Sequence, residues 1–224
     1  LHGIGQEVAY LEAMSEMSHK ADEAGFLVVY PQASLLQWDV TAQKDGGADV
    51  VFIQILLVYL QRHLSIDPAR IYATGFSNGA SMAHRLGCDL ADVIAAIAPV
   101  SGSYPRGQDC EPGRPIPVVA FHGTGDTHVG YQSEEHDVPR WAADWAARNG
   151  CDPTPVPGLH QGDVRAETWG NCKAGATVTL YTIEGGRHIW PGSAKAREFF
   201  PEVQDVSAND VIWDFFQAHP RPTD

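Results

Sequence analysis

The stretch Arg70-Ile71-Tyr72-Ala73-Thr74-Gly75-Phe76-Ser77-Asn78-Gly79 decides how this chain is read. Its first half, Arg70 to Thr74, is a short β-branched and aromatic run and reads as a strand, whereas Asn78 to Gly87 reads as a helix. The pentapeptide between them fits G-x-S-x-G. Small residues flank such a serine because a tight strand-to-helix turn strains its backbone and lifts its hydroxyl into the open. Alone the motif is weak: with 22 glycines and 11 serines in 224 residues, about 0.1 match is expected by chance. The strand before it and the helix after it supply the context that chance matches lack.

Working outward, apolar residues at Val8, Leu11, Met14, Met17 and Ala21 predict one amphipathic helix over Gln6 to Ala24, ended by Gly25. Phe26 to Tyr30 reads as a strand buried on both faces and stopped by Pro31. Ala48 to Leu64 reads as a largely buried helix, with Asp67-Pro68 turning the chain out of it. Val93 to Val100, Ile116 to Phe121 and Thr177 to Ile183 are further strands, and Ser133 to Arg148 and Ser207 to Ala218 further helices. The Pro- and Gly-rich stretch Cys151 to Gly162 reads as a long surface loop. This alternation predicts an α/β fold: a mostly parallel sheet with helices on both faces and the active site at the carboxyl ends of the strands. With 44% hydrophobic and 19% charged residues and no internal repeat, residues 1–224 read as one catalytic domain.

Asp and Glu outnumber Lys and Arg by 28 to 15, a net charge of −13 that repels phosphate backbones and anionic membrane surfaces. Nucleic acid is therefore not an expected partner. The longest apolar run, Val50 to Leu60, is broken by Gln54 and falls well short of the roughly 20 residues a spanning helix needs, so no membrane partner is expected either. Oligomeric state is left open. The four cysteines, Cys88, Cys110, Cys151 and Cys172, form two sequence-local pairs. Two disulfides in an oxidising compartment are the simplest reading, four buried free thiols the alternative, and zinc the weakest because no C-x-x-C occurs. A signal peptide is neither visible nor excluded.

A serine hydroxyl becomes a nucleophile at neutral pH only beside a base, and the base needs a partner to hold its tautomer. His122-Gly123-Thr124-Gly125-Asp126 places an acid just after the Ile116 to Phe121 strand. Gly185-Gly186-Arg187-His188 places an imidazole just after the last strand. The order Ser77, Asp126, His188, each at a strand's carboxyl end, points to nucleophile, orienting acid and general base of an α/β-hydrolase. A metal cluster of His122, Asp126 and His128 would consume the acid, so no metal is expected. The backbone N–H of Asn78, directly after the nucleophile, is one expected oxyanion donor. His2-Gly3 resembles the His-Gly loop that closes an earlier strand of this fold, which makes the N–H of Ile4 the second.

At these residues the chain resembles the secreted feruloyl esterase and polyhydroxybutyrate depolymerase family. The resemblance runs through Leu1-His2-Gly3, Gly25 to Pro31, Ile66 to Tyr72, the serine pentapeptide, Ala95 to Gly102, His122 to Asp126, Arg148 to Cys151, and Trp169 with Cys172. It continues through His188 to Gly192 and Ile212 to Phe216. It implies an extracellular, cofactor-free serine esterase acting on an ester carried by a polymer or oligomer, feruloyl-type esters of plant polysaccharide foremost. Polyhydroxyalkanoate depolymerase and acetyl xylan esterase are the alternatives. It also implies the pairings Cys151–Cys172 and Cys88–Cys110, and places Trp38 and Trp190 near the substrate. Arg187 stands where the family usually has glycine, so beside the base it is expected to influence substrate choice. Family members carry strands before the His-Gly loop that this sequence does not contain; an amino-truncated fragment, with apolar surface exposed along one edge, is the expectation.

A reading from a different class is a non-catalytic hydrolase-fold binding protein. Loss of one of the three catalytic residues would mark it, and none is lost.

Overall fold

A computed structural model describes residues 1–41, 47–104, 109–199 and 205–222. The strands are β1 (Ala73–Phe76), β2 (Ile97–Val100), β3 (Val118–Gly123), β4 (Val156–Gln161), β5 (Val164–Trp169) and β6 (Val178–Ile183). They form one six-stranded sheet in the order β1-β2-β3-β6-β5-β4. The first four members run parallel, and β5 and β4 add an antiparallel hairpin at one edge. The helices are α1 (Val8–Ser15), α2 (Met17–Ala24), α3 (Ala48–His63), α4 (Asn78–Asp89), α5 (Val138–Arg148), α6 (Ala194–Phe199) and α7 (Ala208–Ala218). This is the expected α/β architecture.

The pleat sends alternate side chains to opposite faces, and two apolar clusters result. Val118 and Ala120 of β3 join Met82 and Leu86 of α4 and Trp145 of α5 on one side. Val119 and Phe121 join Leu11, Met14 and Met17 of the first two helices and Ile212 and Phe216 of α7 on the other. β2 and β3 are buried along their whole length, as parallel strands covered by helices should be. The disulfides Cys88–Cys110 and Cys151–Cys172 are both formed, as the resemblance implied. Among the described residues no helix is long and apolar enough to cross a membrane.

Several local expectations are corrected. The helix over Gln6 to Ala24 is two helices, because Glu16 adopts a left-handed conformation with φ 55°. Its carboxylate reaches across to accept the amide of Ala194 at 2.8 Å, a bond a continuous helix would forgo. Phe26 to Tyr30 forms no strand: it has no partner to pair with and instead lines an open apolar groove of about 450 Å3 whose facing wall includes residues 71–75. Among the described residues the outer edge of β1 meets Leu1, whose nitrogen donates to Thr74 O at 2.8 Å and whose carbonyl accepts from Phe76 N at 3.0 Å.

The second helix, α3, is also far less buried than its composition suggests: Val50 and Ile53 are buried, but Val51, Phe52, Ile55, Val58 and Tyr59 are exposed. Leu27 at 65% and Val29 at 45% exposure extend this apolar flank. The supposed loop Cys151 to Gly162 contains β4. All six of its side chains are exposed, so it carries no inside–outside alternation to read.

Candidate active site

Ser77 sits between β1 and α4 at φ 55° and ψ −120°, a backbone region that a residue with a Cβ rarely enters. The turn is this tight because other backbone presses on it. A Cβ on Gly79 would lie 2.1 Å from the carbonyl oxygen of Leu1, and one on Gly75 would lie 2.3 Å from that of Gly79. The Ser77 amide donates to Val100 O of the neighbouring strand at 3.0 Å, while its carbonyl accepts the amides of Ala80 and Ser81 to start the helix. Asn78 therefore opens α4, where a helix leaves its first N–H groups without intrahelical partners.

Asp126 follows the end of β3 and is buried, yet every oxygen is occupied. Oδ1 accepts the backbone amides of His128 and Val129, each at 2.9 Å, and Oδ2 accepts from His188 Nδ1 at 2.7 Å. Burial pushes this carboxyl upward, but the hydrogen bonds from His188, Val129 and His128 outweigh it, so the group titrates below the usual carboxylate value. An ionised Asp126 assigns the proton to His188 Nδ1 and leaves Nε2 as the free base. The loop carrying the acid and the loop carrying the imidazole are zipped together. Thr124 N donates to Ile183 O at 2.9 Å, Gly125 N to Gly186 O at 2.9 Å, and Gly185 N to Thr124 Oγ1 at 2.8 Å. Gly123 is essential to that zipper, since a Cβ there would fall 2.0 Å from Gly186 O.

The His188 ring contacts the ring of Phe76, the residue before Ser77, at a centroid distance of 4.6 Å. The structure thus brings Asp126, His188 and the Ser77 turn to one edge of the sheet. No hydrogen bond joins Ser77 Oγ to His188 among the described residues; in substrate-free sites this contact is often loose and tightens on binding.

The loop bearing Ile4 is tied to the same turn by a chain of buried bonds. Trp38 N donates to Asn78 Oδ1 at 2.7 Å, Asn78 Nδ2 to Trp38 O at 3.2 Å, and Trp38 Nε1 to His2 O at 3.0 Å. His2 is fully buried. Its Nδ1 donates to Gly3 O at 2.8 Å, and its Nε2 accepts from Ala33 N at 3.0 Å and Gln32 Nε2 at 2.8 Å, an arrangement only the neutral ring can make. Burial lowers its pKa in the same sense. Gly5 N donates to Leu36 O at 2.8 Å and closes the set. Ile4 itself is exposed at the tip of this braced turn.

Two sequence expectations are corrected here. Trp38 is 1% and Trp190 2% exposed, and their indole N–H groups are engaged by His2 O and Asn209 Oδ1. Neither presents a ring face to a substrate; both brace loops. Arg187 is exposed beside His188, where it was expected. Both carboxylate oxygens of Asp126 are engaged, by His188 and by two amides. His122 lies behind the acid, its Nε2 donating to Val129 O at 2.9 Å. The bracing roles of His2, Gln32 and Trp38 carry no signal in spacing, because their partners lie 30 or more residues away.

No family model matches the chain. It is 33% identical over 209 residues to feruloyl esterase B of Piromyces equi, covering 84% of this chain and 38% of that protein. It is 29% identical over 218 residues to the bifunctional acetylxylan esterase/xylanase of Neocallimastix patriciarum, covering 96% of this chain and 30% of that protein. The chain thus spans well under half the length of either relative. Among solved structures, an acetyl xylan esterase from Aspergillus awamori superposes with a TM-score of 0.71 at 17% identity, covering 97% of this chain and 86% of that one, a likeness of fold. By sequence the chain is similar to feruloyl and acetylxylan esterases, and its fold is that of the α/β-hydrolases.

Proposed function

We propose that this chain is the catalytic domain of a secreted serine carboxylic-ester hydrolase that removes ester substituents from plant polysaccharide. The observation that carries the reading is the Asp126–His188 hydrogen bond at 2.7 Å, set beside a serine whose backbone is held in a strained turn. Two disulfides support export to an oxidising compartment.

In this scheme His188 Nε2 takes the proton of Ser77 Oγ as that oxygen attacks the ester carbonyl. Asp126 stabilises the imidazolium that forms and keeps its Nδ1 in place. The N–H groups of Asn78 and Ile4 receive the oxyanion, and the rigid His2–Trp38–Asn78 bracing fixes one donor relative to the other. The intermediate expels the alcohol, which takes the proton from His188. A water molecule, deprotonated by the same nitrogen, then cleaves the acyl-enzyme and releases the acid.

A feruloyl-type acyl group is the favoured substituent, with acetyl the second reading. Ile4 at 58% and Leu35 at 96% exposure are apolar side chains on the loops tied to the nucleophile turn and suit a bulky acyl group. Exposed Arg187, next to the base, suits a phenolate or uronic carboxylate. Hydrolysis of methyl ferulate, acetylated xylan and a 3-hydroxybutyrate oligomer tests the assignment. The expected order of kcat/KM puts methyl ferulate first; a better rate on the hydroxybutyrate oligomer overturns the polysaccharide reading and leaves the triad intact.

A further inference from the structure

The hydrolytic scheme gives His128 no part, yet this residue touches both members of the acid–base pair. Its backbone amide donates to Asp126 Oδ1 at 2.9 Å. Its imidazole lies nearly parallel to that of His188, with ring centroids 5.1 Å apart and planes 23° from each other. The side chain is exposed and has no hydrogen bond or ion pair among the described residues. It therefore owes its position to the stack rather than to a polar partner.

The His188 ring needs such a contact. Its Nδ1 bond to Asp126 Oδ2 fixes one point of the ring, but a single bond leaves the ring free to swing about that point. Swinging carries Nε2 away from Ser77, and small misplacements of a reacting group cost rate out of proportion to their size. Phe76 contacts the ring at a tilt of 46°, so its face is not flush with the imidazole. Only His128 presents a near-parallel ring among the described residues.

We propose that His128 is a positioning residue for the general base, holding the His188 ring in its reactive orientation by stacking. The inference rests on the triad reading above and extends it to a residue outside the triad. What the role demands is a flat ring, not a charge or a donor.

The test compares His128→Ala and His128→Phe with the unaltered chain, using a soluble aryl ester, and includes Ser77→Ala as control. Both changes at 128 keep the backbone amide that holds Asp126, so that bond is not disturbed. His128→Ala should lower kcat about tenfold with KM changed less than about twofold, and His128→Phe should restore kcat to within about twofold. Melting temperatures should be unchanged, as the side chain is exposed. Unchanged kcat in His128→Ala overturns the proposal. So does failure of phenylalanine to rescue, or a loss that falls on KM, which would mean that the ring meets substrate. Retained activity in Ser77→Ala is a separate result: it removes the triad reading itself, and the positioning role with it.

Discussion

The two edges of β1 are built on different physics. At its carboxyl end every loop is pinned by polar bonds between residues far apart in sequence: His2 to Gln32 and Ala33, Trp38 to Asn78, Asp126 to His188. Along its outer flank, Leu27, Val29 and the outer face of α3 present apolar side chains to solvent, and the polypeptide 26–30 pairs with nothing in the sheet. Geometry fixed by directional bonds tolerates little change but needs no further partner. A surface held only by incomplete burial has the opposite character: it accepts substitution and gains from being covered.

That contrast can be broken most directly at the nucleophile. Ser77→Ala removes the attacking atom and almost no buried surface, so kcat should fall by roughly 10^4-fold or more while the melting temperature holds. Steady-state kinetics and a thermal melt on one preparation decide it; parallel loss of both would mean that the turn is structural.

Acid should attack the pinned interior before the flank. His84 lies between Trp141 and Trp145, whose indoles donate to its Nδ1 at 3.4 and 3.2 Å. Burial, reinforced by the charges of Arg85 and Arg148, lowers its pKa to about 3. A histidine kept neutral in the folded state gives stability that is complete above its unfolded value near 6.5 and is lost as pH falls towards about 3, by up to about 1.4 kcal/mol per unit. Asp126, also depressed, adds a loss of the same sign at still lower pH. Urea unfolding between pH 7 and 4.5 should show this slope, and His84→Gln should flatten it.

Replacing Cys151 and Cys172 together by Ala should cost about 3 kcal/mol of stability in the chain-entropy model, with kcat nearly unchanged. The bridge joins the chain just after α5 to the chain just after β5, beside the amino end of β6 and not its carboxyl end, and its sequence separation is 21 residues. Trp38→Phe keeps an aromatic ring, though a smaller one, and strips the indole donor from His2 O. A cost of about 1–3 kcal/mol is expected. Because that bond, with those between Trp38 and Asn78, ties the Ile4 loop to the Ser77 turn, kcat should fall with it. Equal kcat in this variant would separate the bracing from the chemistry.

The smallest effect should come from the flank: Leu27→Lys and Val29→Lys should leave kcat and KM unaltered and raise the solubility limit. A lost rate there would show that the two regions are coupled.

Most of the sheet and the placing of Ser77, Asp126 and His188 at strand ends are legible because their signals are local. A β-branched run before Gly75-Phe76-Ser77-Asn78-Gly79, and Asp126 and His188 each just past a strand, can be read without knowing any contact. Phe26 to Tyr30 misled for the converse reason: the run has strand composition, but a strand exists only where a neighbour pairs with it, and pairing is non-local. β4 went unread because all its residues are exposed, leaving no alternation. Trp38 and Trp190 were assigned to substrate by resemblance alone, whereas their surroundings make them braces. His128 had no readable signal at all, since its ring contact with His188 spans two loops that only the folded sheet brings together.

The φ of 55° at Ser77 has a consequence for anyone improving this protein. Glycine is at ease where serine is strained, by about 1–3 kcal/mol. A heat-resistance screen run without an activity gate should therefore enrich Ser77→Gly, and with it an inert chain. Thermal tolerance and turnover compete for a single backbone torsion, so selection on either one alone pulls this position in opposite directions.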